Sequence, residues 1–494
     1  MAKVKTSGKV LGLVIFLAIA FAAKVFWWDT RPINEDNVIK VGVVTWPGYL
    51  GGQYMNDGFE ANKESRMYKD YGLLVEFSVI DDFLASRKAF ENGEIDLLWV
   101  TADALPTELG AKSSFLTYRP KFAFQVDWSR GGDAIVAIEG INSIGDLKGR
   151  KVAVAQGTPS HTFLIDALQT NGMSTTDIEI VYVPSAIDAA EMFKNGGVHA
   201  AVVWSPDDAI CINKVQGSKI LLSTATATNI IADGFLVKEE FMTKNENDVL
   251  RLYEAWMVGN SELNNNTDGA RAKGASILAS KFQMTVADAA SAMNNVRYVT
   301  HGDNINFFGL GDSKKVTGSD LYNKMANIYS TLGMVDRPVT WRDASSIAIV
   351  QKANLTGSAH EAEKPIQFIK ASKELEEKVA FSNKKVTINF ATGKYALSDN
   401  DKFTINMEFA DILKQYQGAR IRIEGNTDNT GSAKVNTDLS YKRANSVKEF
   451  LVSRYGVDPN RIIIIGNGPK HAIADGIQGA NEDYRRTDFQ LIQE

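Results

Sequence analysis

The sequence predicts an α/β protein built from more than one module. Two observations carry that prediction. Across residues 36–335, short apolar strands alternate with helical stretches. A smaller unit over 386–494 repeats a strand–helix order and ends on a strand. The 494 residues leave room for two or more domains.

With 44% hydrophobic and 23% charged residues, the composition is that of a globular protein. A net charge of −5 gives no electrostatic basis for a nucleic-acid partner. The single cysteine, Cys211, excludes an intramolecular disulfide framework and a cysteine-rich metal site. Five histidines show no HExxH spacing, and neither a Walker loop nor a GxGxxG-to-helix fingerprint occurs. No cofactor and no metal are expected. Ser129, Ser160 and His161 with an aspartate can be written as a triad, yet no GxSxG elbow accompanies them. The chain reads as a non-enzyme.

At the amino end, Lys3, Lys5 and Lys9 precede an apolar run from Val10 to Trp28, broken by Lys24. Such a run is long enough to cross a bilayer core of roughly 30 Å. The flanking lysines and the interfacial Trp27 and Trp28 predict a cytoplasmic tail at 1–9 and a single transmembrane helix at 10–28. The alternative is a cleaved signal peptide, with Ala20-Phe21-Ala22 as the cleavage site. Both readings export the remainder to the periplasm. The run holds no carboxylate, Asp29 lying just beyond it, which leaves no intramembrane ion relay and disfavours a motor role.

In the region 36–335, strands are predicted at Val38–Thr45, Leu73–Val79, Leu97–Val100, Lys151–Ala155, Ile178–Val183 and Ala200–Trp204. The intervening stretches Ala85–Asn92, Phe163–Thr170 and Ala186–Asn195 read as helices. This alternation predicts parallel sheets, with ligands bound where the loops collect at the strands' carboxyl ends. The informative loops are TWPGY (45–49), VTADALP (100–106), DWSRGGD (127–133), GTPSH (157–161), VVWSPD (202–207) and TATNIIADG (226–234).

Thr158 or Ser160 is placed to cap a helix whose free N–H groups make an anion site. His161 follows them. Trp46 and Trp204 end strands and are candidates to sandwich a planar or cationic group. Asp133 and Asp233 are candidate acceptors for an amine, and Arg130 a partner for either acid or for an anion. Thr101 and Ser129 complete the candidate ligand-binding set. The alternatives are plain core packing for the tryptophans and loop capping for the acids.

The series VGVVTWPGY, NGEIDLLW, DLKGRKVAVAQGTPSH and VHAAVVWSPD resembles periplasmic solute-binding proteins of the taurine, sulfonate, nitrate and thiamin-pyrimidine type. The resemblance implies a two-lobed periplasmic-binding-protein (type II) fold. One lobe would be 38–127 plus 236–335 and the other 130–230, with DWSRG and IIADG as crossovers. The helix N-terminus for an anion and the aspartates for an amine suit a small anionic or zwitterionic solute, and the resemblance implies an ABC permease or other multipass membrane protein as partner.

Residues 336–385 turn polar and predict a linker, with a solvated charged helix at Ile366–Val379. The final unit, 386–494, is predicted as strand Val386–Phe390, helix Asn400–Tyr416, strand Arg420–Glu424, helix Asn436–Tyr455, strand Arg461–Gly466 and strand Thr487–Ile492. A carboxylate, Asp428, lies in the loop GNTDNTG, and a guanidinium, Arg443, on the helix that follows. Together they make a receptor for a zwitterion.

This stretch, with INFATGKYALSD before it and YRRTDFQL after it, resembles the OmpA-like peptidoglycan-binding domain, an α+β fold. The resemblance implies that Asp428 takes the ammonium and Arg443 the carboxylate of peptidoglycan diaminopimelate. It adds Thr427, Asn436, Arg485 and Arg486. Asn426 and Tyr484 depart from the family pattern, and Asn426 is expected to keep the loop's hydrogen bonds. The combined expectation is an inner-membrane-anchored solute-binding protein held to the cell wall. The alternative is a structural or force-transmitting subunit of a multipass complex.

Overall fold

The computed structural model describes residues 37–311, 315–386, 388, 390 and 393–493. The run at Val10–Trp28, and the anchor and cleavage expectations attached to it, lie outside the described residues. Among those described, no helix is long and apolar enough to cross a membrane.

Along the chain, β1 (Val38–Val43), β2 (Leu74–Val79), β3 (Leu97–Thr101) and β4 (Lys121–Ser129) lead into a second set of strands. These are β5 (Asp133–Ala137), β6 (Lys151–Ala155), β7 (Glu179–Val183), β8 (Ala200–Trp204) and β9 (Lys219–Ser223). β10 (Ala232–Val237) and β11 (Val296–Tyr298) then return to the first set. The first sheet has the order β11-β4-β10-β3-β1-β2 and the second β7-β6-β8-β5-β9.

Each sheet holds a parallel trio, β2-β1-β3 and β7-β6-β8. An antiparallel neighbour flanks each trio, β10 in the first and β5 in the second. The expectation of wholly parallel sheets is therefore corrected: both are mixed. The chain leaves the first sheet by β4 and returns by β10, so those two strands pair antiparallel. β5 and β9, which enter and leave the second sheet, do the same. Two lobes joined by two crossovers result.

β3 and β5 are buried along their whole length, as strands covered on both faces must be. The helix Glu246–Asn265 buries Val249, Leu252, Tyr253, Trp256, Met257, Asn260 and Leu263, the spacing of one amphipathic face. Its Trp256 ring lies 5.0 Å from Phe235 of β10. This packing fixes the strand that carries Asp233.

The stretch 336–385 differs from a free spacer. Trp341 packs 5.6 Å from the Phe122 ring of β4. Further on, the Ala359 carbonyl accepts from Ser261 Oγ at 2.7 Å and the Glu361 carbonyl from Thr300 Oγ1 at 2.8 Å. The Glu363 N–H donates to Asp303 at 2.7 Å. The segment is strapped along the first lobe. Of the charged helix predicted at Ile366–Val379, only Lys373–Glu377 is helical. Charge pairs alone do not sustain a long helix with no apolar face to dock.

The terminal unit has β12 (Ser382–Val386), β13 (Ala419–Asn426), β14 (Ile462–Gly468) and β15 (Thr487–Gln493), in the order β12-β15-β13-β14. Helices Asp399–Gln415 and Ala433–Tyr455 accompany the sheet. β12 begins four residues before its predicted start because it pairs with β15 from Ser382↔Leu491 to Val386↔Thr487, where β15 itself begins.

This unit docks on the second lobe, and one apolar core runs through both. Asp166, on the helix Pro159–Thr170, accepts from Tyr416 OH at 2.7 Å and from Lys324 Nζ at 2.5 Å. Ser382 Oγ donates to the Thr170 carbonyl at 2.8 Å.

Candidate functional site

The strand register builds the cleft. β3, β10 and β4 lie side by side, with Asp233 opposite both Thr101 and Asp127. On the second sheet, Asp133 lies opposite Trp204. Between the lobes Thr101, Asp133, Trp204 and Asp233 border a cavity of about 30 Å³, to which Trp46, Trp99, Ser129 and Pro159 also contribute.

Six of the eight residues picked from sequence for the solute share this cavity: Trp46, Thr101, Ser129, Asp133, Trp204 and Asp233. Ser160 and His161 do not line it. Ser160 Oγ accepts from the Trp204 indole N–H at 2.9 Å and so orients that ring. His161 is fully buried, its Nδ1 accepting from the Gly157 N–H at 3.3 Å, with the Tyr182 ring 5.4 Å away. Burial pulls its pKa down to about 4, so the imidazole is neutral.

The helix-cap expectation is corrected as well. Thr158 Oγ1 donates to the Ala155 carbonyl at 2.8 Å instead of capping the helix, and Pro159, which has no N–H, borders the cavity. Arg130 does not face the aspartates. It forms a two-pronged ion pair with Glu363 of the strap, at 2.7 and 2.6 Å.

The cleft is acidic. Asp103, Asp127, Asp133 and Asp233 are all buried. Asp127 accepts from the Trp46 indole at 3.3 Å, Asp233 from Tyr49 OH at 2.7 Å and Asp133 from Ser129 Oγ at 2.8 Å. Desolvation raises Asp103 and Asp233 to about 7 and Asp133 to about 8. Asp127 is driven well above the usual carboxylate range by burial and by the adjacent Asp233. Sequence reasoning passed over Trp99, Asp103 and Asp127. All three lie in marked stretches (NGEIDLLW, VTADALP, DWSRGGD), and they converge through cross-strand pairing of Trp99 and Asp127 and a contact of Asp103 with the Ala232 N–H.

Close approach demands small residues. A Cβ on Gly48 would stand 1.7 Å from Asp127 Oδ2 and 2.3 Å from Trp46 Nε1. One on Gly132 would stand 2.2 Å from the Trp46 ring.

In the terminal unit, β13 delivers Thr427 and Asp428 to the mouth of the loop, and Ser432 caps the helix that carries Asn436 and Arg443. Asp428 is buried and accepts from the Asn481 N–H at 3.3 Å, with Arg485 Nε 3.7 Å away. Its ion-pair partner is thus Arg485 and not Arg443. Arg443 is also buried, donates Nε–H to the Lys394 carbonyl at 3.1 Å and lies 4.9 Å from the Phe390 ring. Burial and the neighbouring Arg485 lower its pKa, and Asp428 opposes them.

Asn436 braces the loop through the Thr430 carbonyl at 2.9 Å. The Thr427 hydroxyl is buried and has no partner. Arg486 is held by Asp488 at 2.9 Å and by the Asp483 carbonyl at 2.7 Å. Asn426 donates to Asp488 at 3.0 Å and accepts from Asn467 at 3.1 Å.

Residues 389–486 match the OmpA family, and residues 134–270 match the NMT1/THI5 like family. Outer membrane protein Omp38 of Acinetobacter baumannii is 39% identical over 110 residues, 22% of this chain and 31% of that protein. An aliphatic sulfonates-binding protein of Escherichia coli is 34% identical over 105 residues, 21% of this chain and 32% of that protein. The chain thus spans about a third of the length of each of these curated relatives. The crystal structure of the periplasmic aliphatic sulphonate binding protein SsuA from Escherichia coli superposes with a TM-score of 0.49 at 18% identity. The superposition covers 69% of this chain and 99% of that one.

Proposed function

We propose that this chain, which joins an NMT1/THI5-like solute-binding domain to a carboxyl-terminal OmpA domain, is a cell-envelope receptor. The receptor captures a small solute between its lobes and holds non-covalently to peptidoglycan. The observation that carries the reading is the cavity between the lobes, where tryptophans and buried polar groups from both sheets converge. Asp428 and Arg443 are the wall-binding pair, receiving the ammonium and carboxylate of diaminopimelate, with Thr427, Asn436, Arg485 and Arg486 around them. The protein works in the periplasm, tethered at the inner membrane by Val10–Trp28, and serves an ABC-type permease or a signalling partner. It performs no reaction.

Ligand screening by thermal shift tests the reading. A solute that raises the melting temperature of the full chain, and fails to do so for Trp204→Ala, supports it. A screen in which no solute acts, while a multipass membrane protein co-purifies, refutes the receptor and favours a structural role.

A further inference from the structure

The cleft's chemistry narrows the solute further, on the premise that the cavity is the solute site. Asp133 and Asp233 both line the cavity, one from each lobe. Asp127 pairs across the strands with Asp233. Asp103, next along the chain from β3, accepts from the Ala232 N–H at 3.4 Å.

Among the described residues, no lysine or arginine offsets these acids. The charged groups acting on Asp103, Asp127 and Asp133 are the other aspartates of the same cluster. Arg87 is the cation packed on Trp99, 4.5 Å from its ring, but both prongs of its guanidinium are held by Glu108. Arg130 is held by Glu363.

The unmet hydrogen-bonding capacity is weighted toward acceptors, with the Trp99 indole N–H as an unpaired donor on the cavity wall. Asp133 Oδ1, Asp127 Oδ1 and Asp103 Oδ2 are buried without partners, and so is the hydroxyl of Thr101, which lines the cavity. The carboxylate oxygens ask for donors. At the helix end that faces the cavity, Pro159 lines the wall and adds no N–H of its own.

We infer that the cleft takes a protonated amine, its ammonium set between Asp133 and Asp233 and its carbon skeleton against Trp46 and Trp204. An ammonium supplies three N–H donors and a compensating charge, and indole faces attract cations. A bare sulfonate would meet no cation in the cleft and would oppose ionisation of the four buried acids, whereas an ammonium favours it. The cavity of about 30 Å³ admits a head group of ammonium size, so a larger skeleton enters only as the lobes part.

The experiment is calorimetric titration of the full chain at pH 7.5 with ethanolamine, putrescine and benzylamine as amines, ethanesulfonate as the anion and taurine as the zwitterion. The expected result is binding of at least one amine and none of ethanesulfonate. Asp133→Asn should weaken the amine at least tenfold, as the loss of a charged hydrogen-bond partner requires. Trp204→Leu, which leaves the acids in place, should weaken it as well. Binding of ethanesulfonate with silence from every amine overturns the inference and leaves the solute-binding reading standing. Silence from all five probes also overturns it. An amine that binds equally well to the wild type, Asp133→Asn and Trp204→Leu places its site elsewhere and removes support from both.

Discussion

The buried acids make the folded protein sensitive to alkali, and Asp133→Asn isolates the effect. Asp133 is raised from an ordinary 3.8 to about 8 by burial. A carboxyl that holds its proton more tightly when folded contributes stability that is complete below about pH 4. That contribution is lost as pH rises toward 8, because the unfolded chain ionises first. The loss for one such group is roughly 3 kcal/mol between pH 5 and pH 7.

Asparagine keeps the shape and can still accept from Ser129, but it does not titrate. In the ligand-free protein, the variant should therefore match the wild type near pH 5 and exceed it at pH 7. At roughly 2–4 °C per kcal/mol for domains of 150–250 residues, the gap in melting temperature should open by roughly 5–10 °C. Differential scanning calorimetry at half-unit pH steps reads it directly. Parallel curves for the two proteins from pH 5 to pH 8 would show that Asp133 ionises like an exposed acid, and would refute the account of the cleft.

Four further outcomes follow from the same contacts. Gly48→Ala forces a Cβ into Asp127 and Trp46, and should cost at least about 2 kcal/mol in chemical denaturation, in the range of overpacked cores. Tyr416→Phe leaves Asp166 short of a donor at the junction of the lobe and the terminal unit. It should cost about 1–3 kcal/mol in chemical denaturation. Asp428→Ala or Arg443→Ala should lower co-sedimentation with purified peptidoglycan at least tenfold without moving the melting temperature of the solute-binding lobes. The His161 ring, neutral because it is buried, should show no titration in NMR between pH 5.5 and pH 8.

The parallel trios were legible because they are short, apolar and punctuated by helices, and β6 and β8 keep their predicted bounds. The crossover strands were not. DWSRGGD looks like a loop, yet Asp127, Trp128 and Ser129 end β4, and Asp133 opens β5. Whether such residues are loop or strand is decided by antiparallel partners a hundred residues away, which no local pattern reveals.

The cleft was legible as residue types and not as a charge balance. Asp133 and Asp233 could be named from their loops, whereas Asp127 joins them through strand register and Asp103 through its contact with the Ala232 N–H. The expected side-chain cap is absent because the Thr158 hydroxyl turns back to the Ala155 carbonyl, a contact that sequence spacing does not show. The strap is held by backbone carbonyls at Ala359 and Glu361, which composition does not show.

Native mass spectrometry of the full chain, purified gently from envelopes, tests the receptor most directly. The account predicts a one-to-one complex with a small molecule that is absent from Trp204→Ala preparations and is identified as an amine after release. A spectrum holding only the bare chain, before and after incubation with envelope extract, would contradict it.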